Sequence, residues 1–370
     1  MNFINKIINL KYLYYIMGNQ LACCGPKEGG RQNPAAPFQD NIGINNNGNQ
    51  NLNNDVIPLK NSNLAQSNPR LNMSTNSNNL SMVRSAPFTC IKTFEAHDDK
   101  IVSLIELSNG NIASGSYDST IKIWDIKNQK CLSTIQESGN VLCLLEFEPG
   151  KLLSGTDENT IQIWDIASGM NEFSFTGHLL WVNSLVKCSN EYFASASNDS
   201  DIRIWDYPQR KCANVLKGHN NCILSLIALK NGYLCSGSAD LTIMIWDWEN
   251  ASCVKILQGH KKWVKCVYEL SNGNILSGSD DRTIKVWQNY NLIKDINAHE
   301  KSVRAFCQIN NELVASASFD KTIKIWNFKD NMSLFQTLTG HQAYVISLIL
   351  HSSGILISAS TDHNIKIWTN

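Results

Sequence analysis

Seven tryptophans divide most of this chain into nearly equal parts. They stand at Trp124, Trp164, Trp205, Trp246, Trp287, Trp326 and Trp368, separated by 40, 41, 41, 41, 39 and 42 residues. A fixed period of this length marks a repeat array, in which a small unit buries its apolar faces only by stacking on its neighbours. Other positions keep the same step. A histidine stands 27 residues before six of the tryptophans, as His97, His178, His219, His260, His299 and His341, and Glu137 takes that place in the second copy. Six residues before each tryptophan stands an acid: Asp118, Glu158, Asp199, Asp240, Asp281, Asp320 and Asp362. Ser or Thr holds the eighth position before it, from Ser116 and Thr156 through Ser360.

Between these markers run short stretches such as "TIKIW" and "NGNIASGS", alternating with period two and separated by turn residues. They read as strands, four to a copy. A lone four-stranded sheet leaves two faces and its edges exposed. Packing seven sheets around an axis covers the faces and shortens the edges. The last copy lacks a fourth strand after Trp368, while "CIKTF" (Cys90–Phe94) is surplus before the first histidine. That strand is expected to complete the last sheet and close the ring.

Trp-Asp pairs occur at Trp124-Asp125, Trp164-Asp165, Trp205-Asp206 and Trp246-Asp247. With the phased histidines and acids, they make residues 89–370 resemble the WD-repeat β-propeller family. The resemblance implies an all-β, seven-bladed propeller. It implies that the recurring His, the Ser or Thr at the eighth position, the acid and the Trp form a structural network within each blade. It also implies that partners dock where the axial channel opens, on the third and fifth residues after the histidine and the residue before the turn acid. Carried over, that face includes Lys100, Tyr117, Asp157, Trp181, Asn183, Trp263, Lys265, Asp280, Arg304, Phe319 and Tyr344. Aromatic residues beside Arg and Lys are the chemistry of binding hot spots.

Recurring His, Ser and Asp also invite a hydrolase reading. A nucleophilic site needs one assembled constellation with an oxyanion hole, not six copies each tied to a Trp. One histidine per blade spaces the imidazoles too far apart to share a metal. No catalytic residue, metal or cofactor is expected. Thirty-two Lys and Arg balance 32 Asp and Glu, which argues against a dedicated nucleic-acid binder. The expected function is a non-enzymatic scaffold for a protein or peptide partner. The alternatives are the substrate-recognition subunit of a ubiquitin ligase or other complex, or an RNA-binding propeller.

The N-terminal residues are of different composition. Residues 26–88 are Asn- and Ser-rich ("NIGINNNGNQNLNNDV"), a texture expected of a disordered linker. Within residues 1–25, "MGNQLACCG" runs from Met17 to Gly25 and reads as a doubly acylated N-terminus. Translation from Met17 would expose Gly18 for myristoylation, with Cys23 and Cys24 placed for palmitoylation. Two acyl chains are needed for a stable anchor. Twelve cysteines without a C-x-x-C pair suit a reducing compartment. The expected location is the cytoplasm, with the acyl chains holding the protein to the cytoplasmic face of a membrane.

Overall fold

The computed structural model describes residues 86–370. Gly18, Cys23 and Cys24 lie outside the described residues, as does the linker up to residue 85. The described residues form 28 strands, β1 to β28 in chain order, arranged as seven four-stranded antiparallel sheets. Blade 1 comprises β2 (Ile101–Glu106), β3 (Ile112–Ser116), β4 (Thr120–Asp125) and β5 (Lys130–Gln136). Blades 2 to 6 repeat that order, beginning at Val141, Val182, Ile223, Val264 and Val303. The innermost strand of each blade touches those of both neighbours, so the sheets form a closed ring.

Closure is made by the strand that the sequence leaves over. Blade 7 joins β26 (Val345–Leu350), β27 (Leu356–Ser360) and β28 (Asn364–Thr369) to β1 (Thr89–Glu95), with Phe94 opposite Ile365. The two ends of the propeller are thereby held in one ladder. The folded body reaches one residue further back than the boundary drawn at 88/89. Phe88 is 3% exposed and packs with Leu313, Leu338 and Trp368. Its N–H donates to Gln336 Oε1, and Gln336 Nε2 donates back to its carbonyl, both at 2.8 Å. A phenylalanine at the end of an Asn- and Ser-rich segment was the cue for this anchor, which ties the closing strand to blade 6 as well as blade 7.

Strand texture follows depth. In β3, "IASGS", every residue is buried, whereas β5 alternates exposed and half-buried residues on the rim. The middle strands carry Gly or Ala where the next blade comes closest. A Cβ on Gly115 would lie 2.5 Å from Val141 Cγ1 of blade 2, and one on Gly278 would lie 2.7 Å from Val303 Cγ1. The channel-lining strands therefore pack on backbone, and a larger residue there would push two blades apart. At the opposite end of the channel, side chains at the ends of inner strands cross to the preceding blade. Glu106 accepts from the N–H of Ser352, Glu146 from Ser108 and Glu269 from Lys230.

Because Phe88 fills a site shared by two blades, Phe88→Ala should destabilise the propeller by about 3–5 kcal/mol, the cost of a large-to-small change in a core. Urea unfolding monitored by tryptophan fluorescence measures this. A midpoint unchanged from wild type would mean that Phe88 does not help close the ring.

Candidate functional site

A buried indole N–H needs an acceptor. In blade 1, Trp124 Nε1 donates to Ser114 Oγ at 2.8 Å, and Ser114 Oγ lies 2.7 Å from His97 Nε2. His97 Nδ1 lies 2.8 Å from Asp118 Oδ2. The arrangement assigns one proton order: indole N–H to serine, serine O–H to Nε2, and Nδ1–H to the carboxylate. It recurs through Trp205, Ser195, His178 and Asp199, with the same spacings within 0.1 Å. Trp246, Ser236, His219 and Asp240 repeat it, as do Trp287, Ser277, His260 and Asp281. So do Trp326, Ser316, His299 and Asp320, and Trp368, Ser358, His341 and Asp362.

The serine in this chain stands ten residues before the tryptophan, not eight. Two residues apart on a strand, both point to the same side. The register decides between them, because Ser114 stands opposite Lys122, two residues from the indole. The serine at the eighth position does other work. Ser116 Oγ accepts the N–H of Asp118 and donates to the carbonyl of Asp99, pinning the turn to the preceding loop. The acid also closes a tight turn. Asp118 Oδ1 accepts the N–H of Thr120 across Ser119, which is held at φ 61°. Burial pushes the Asp118 carboxyl up, but bonds from Thr120, the N–H of Asp98 and His97 outweigh it and hold the group below its ordinary range. Burial lowers His97 and His299 against the pull of Asp118 and Asp320, which favours the uncharged imidazoles. Ser114 is fully buried, and its oxygen already serves the indole and the imidazole. A hydroxyl so engaged is in no position to attack a substrate.

The opposite ends of these loops build the channel mouth. In every blade the carbonyl of the third residue after the histidine position accepts the N–H of the residue before the acid. These pairs include Lys100 with Tyr117, Trp263 with Asp280, Ser302 with Phe319 and Tyr344 with Thr361, at 2.9–3.0 Å. Asn140 likewise pairs with Asp157 at 3.3 Å and Trp181 with Asn198 at 2.9 Å. The backbone thus repeats, and only the side chains differ. Lys100 Nζ lies 4.8 Å from the Tyr117 ring, Lys265 Nζ 4.3 Å from the Trp263 ring and the Arg304 guanidinium 4.9 Å from the Phe319 ring. Phe319 stacks on Tyr344 with centroids 4.3 Å apart. Lys265 also reaches Asp280 Oδ2 at 3.4 Å. Asn183 Nδ2 donates to Asn198 Oδ1 and to the carbonyl of Ile223 in the next blade. Asp157 accepts from Asn140 at both oxygens.

The face aromatics are half-buried, not fully exposed, and Tyr117, Trp263, Phe319 and Tyr344 each lie against a cation or another ring. Two residues of this end were missed. Leu179, just after His178, is 75% exposed, and Lys301 Nζ lies 5.6 Å from the Tyr344 ring. The cue for Leu179 is that Asp98, Ser138, Asn220, Lys261, Glu300 and Gln342 hold that position in the other copies. Among the described residues no group of three His, Cys, Asp or Glu side chains could hold a metal.

Seven four-stranded blades, each but one locked by a Trp–Ser–His–Asp chain, define a β-propeller built from tandem repeats. The chain belongs to the WD40 family: the family described as "WD domain, G-beta repeat" matches residues 88–125, 169–206, 210–247, 251–288, 290–327 and 332–369. Short stretches are similar to curated proteins. One is 48% identical over 54 residues to mitochondrial division protein 1 of Saccharomyces cerevisiae, covering 14% of this chain and 7% of that protein. Another is 40% identical over 52 residues to F-box/WD repeat-containing protein 7 of Drosophila melanogaster, covering 14% and 4%. The matches thus span less than a tenth of either relative.

The unmatched residues 126–168 contain Glu137 and the first three strands of its blade. Blade 2, β6 (Val141–Glu148), β7 (Lys151–Thr156), β8 (Ile161–Asp165) and β9 (Asn171–Phe175), has the common topology. Its network differs. Glu137 Oε2 accepts from Ser154 Oγ at 2.8 Å and from Trp164 Nε1 at 2.9 Å, while Oε1 is buried without a partner. Glu158 is exposed, so this blade lacks the second carboxylate contact. Burial pushes the Glu137 carboxyl up to about 7, although its two donors pull the other way.

A carboxyl whose folded value exceeds its ordinary one stabilises the fold at low pH and loses that contribution as pH rises through the folded value. Glu137 should therefore cost wild type on the order of 2 kcal/mol between about pH 5 and about pH 8, relative to Glu137→Gln. Urea unfolding of both proteins at the two pH values measures the difference. An equal gap at both would show that Glu137 does not titrate there.

Proposed function

We propose that this chain is a non-enzymatic scaffold that binds a protein or peptide partner on the channel mouth bearing Trp181, Trp263, Arg304, Phe319 and Tyr344. The observation that carries this reading is a division of labour. The recurring polar side chains are buried and spent on holding each blade, while the differences between blades gather at one end, on a common backbone frame. That end offers large rings held by cations, together with exposed Leu179. Rings and guanidinium groups of this kind dominate binding energy where they occur in interfaces. Asp157 and Asp280 on the same end weigh against a phosphate-rich nucleic-acid partner.

The second part of the proposal concerns attachment. A protein begun at Met17 presents Gly18 for myristate and Cys23 and Cys24 for palmitate, and two chains suffice to hold a propeller at a membrane.

Trp263→Ala and Arg304→Ala should each weaken partner retention by about 2 kcal/mol while leaving the melting temperature within a few degrees of wild type. Quantitative comparison of proteins retained by the wild-type and variant chains tests this. Equal retention by the double variant would move the docking surface elsewhere. For the anchor, mass spectrometry of the protein made in its own cell should find an N-terminal peptide beginning at Gly18 with myristate. A peptide beginning at Met1 or Asn2, with both cysteines unmodified, would rule the anchor out.

A further inference from the structure

The channel mouth is uneven in charge. From blade 5 round to blade 1, Lys265, Arg304, Lys301 and Lys100 each lie over a ring. Across blades 2 and 3 the corresponding positions hold no cation: Asn140 bonds Asp157 and Asn183 bonds Asn198, beside Leu142 and Trp181. The deepest cations are Lys265 and Arg304, on the inner strands of adjacent blades. The Lys265 side chain is only 11% exposed. Arg304 lies on the innermost strand of blade 6, which packs against the innermost strand of blade 5 that carries Lys265. The two cations oppose each other. Burial first and Arg304 second bring the Lys265 ammonium down to about 8, with Asp280 pulling the other way.

One carboxylate answers these two charges. Asp280 holds Lys265 at 3.4 Å with Oδ2 and accepts Ser302 Oγ with Oδ1. Arg304 Nε is buried with no partner. Buried donors in native proteins are nearly always satisfied, and an unmet one carries a cost that a ligand can remove. Asp280 is spent on Lys265 and Ser302, and among the described residues no carboxylate is in ion-pair contact with Arg304, so this pair of cations has room for one more negative charge.

We propose that this face recognises a carboxylate of a peptide, an Asp or Glu side chain or a C-terminus, seated against Arg304 beside Lys265, with Phe319 and Trp263 gripping the residues around it. The proposal rests on the reading of this end as a docking surface. A guanidinium fork matches a carboxylate in geometry. The aromatic supports hold both cations in place before binding, and Lys265 is already desolvated in the free protein, so these costs do not fall on association. A doubly charged phosphoryl group would exceed that room and set its second charge against Asp280.

The test uses the full chain and a positional-scanning library of short synthetic peptides, made with free and with amidated C-termini and with phosphoserine among the residues scanned. Retained peptides should prefer Asp or Glu at one position, and changing that residue to Gln should cost roughly tenfold or more in affinity, as should Arg304→Met in the protein. A preference for the free over the amidated terminus, without an internal acid, would assign the carboxylate to the C-terminus. The Glu-to-Gln comparison in the peptide needs no protein variant, so the test stands even where Arg304→Met fails to fold. Peptides whose retention Trp263→Ala weakens but which show no acid preference would overturn the inference and leave the docking reading intact. Tighter binding of phosphoserine than of Glu at that position would also overturn it. If Trp263→Ala weakened the retention of no peptide, the docking reading would fall, and the inference with it.

Discussion

Each blade depends on one hydroxyl. The tryptophan indole fills the space between sheets, and filling it buries an N–H that must be bonded. Ser114 and its counterparts accept that N–H and donate their own O–H to an imidazole nitrogen. The imidazole can stay buried because its other nitrogen meets a carboxylate. That carboxylate sits at the surface end of the chain of bonds, where it also bends the backbone through a left-handed residue. Sheet packing, loop position and turn shape are therefore coupled through four side chains. Where one is replaced, the whole chain of bonds changes: Glu137 keeps the indole and the serine satisfied but leaves its own second oxygen without a partner, and Glu158 turns outward.

Much of this was legible before any coordinates. The tryptophan period set the number of blades, and the surplus strand before His97 identified the closure that β1 makes with β28. What escaped did so for physical reasons. Two serines two residues apart share one side of a strand, so periodicity could not say which meets the indole. Phe88 lies next to a polar stretch, and only the path of the chain past blade 6 shows that its ring is covered. The face aromatics and the cations Lys100, Lys265 and Arg304 could be named from their phase, but Lys301 could not, and which cation covers which ring shows only in three dimensions. Glu137 was visible as a departure, whereas its unmet oxygen was not.

A ring of near-identical blades raises the question of how such a body discriminates anything. The backbone bonds from Tyr117 to Lys100, from Asp280 to Trp263 and from Phe319 to Ser302 are the same bond repeated. Pseudo-symmetry makes the frame indifferent, so direction around the axis is written only in side chains. The cations and the rings they cover occupy one arc, amides, Asp157 and Trp181 the other. A partner lying across the mouth would meet different chemistry at each blade.

Rigidity then turns from a by-product of folding into a property of the site. Arg and Lys side chains free in solvent lose considerable rotamer entropy when a ligand fixes them. Here Lys265 is already fixed by Trp263 and Asp280, and Arg304 by Phe319, which is itself stacked on Tyr344. The loops carrying these residues are held by the buried bonds that hold the blades, because Asp281 and Asp320 directly follow Asp280 and Phe319. The channel mouth is thus prepared by the same carboxylates that keep the histidines bonded. Loss of one of those acids would loosen the neighbouring face residue before the blade itself gives way, because the turn loses its carboxylate bond and keeps only Ser279 and its backbone bonds, while the sheet retains its ladders.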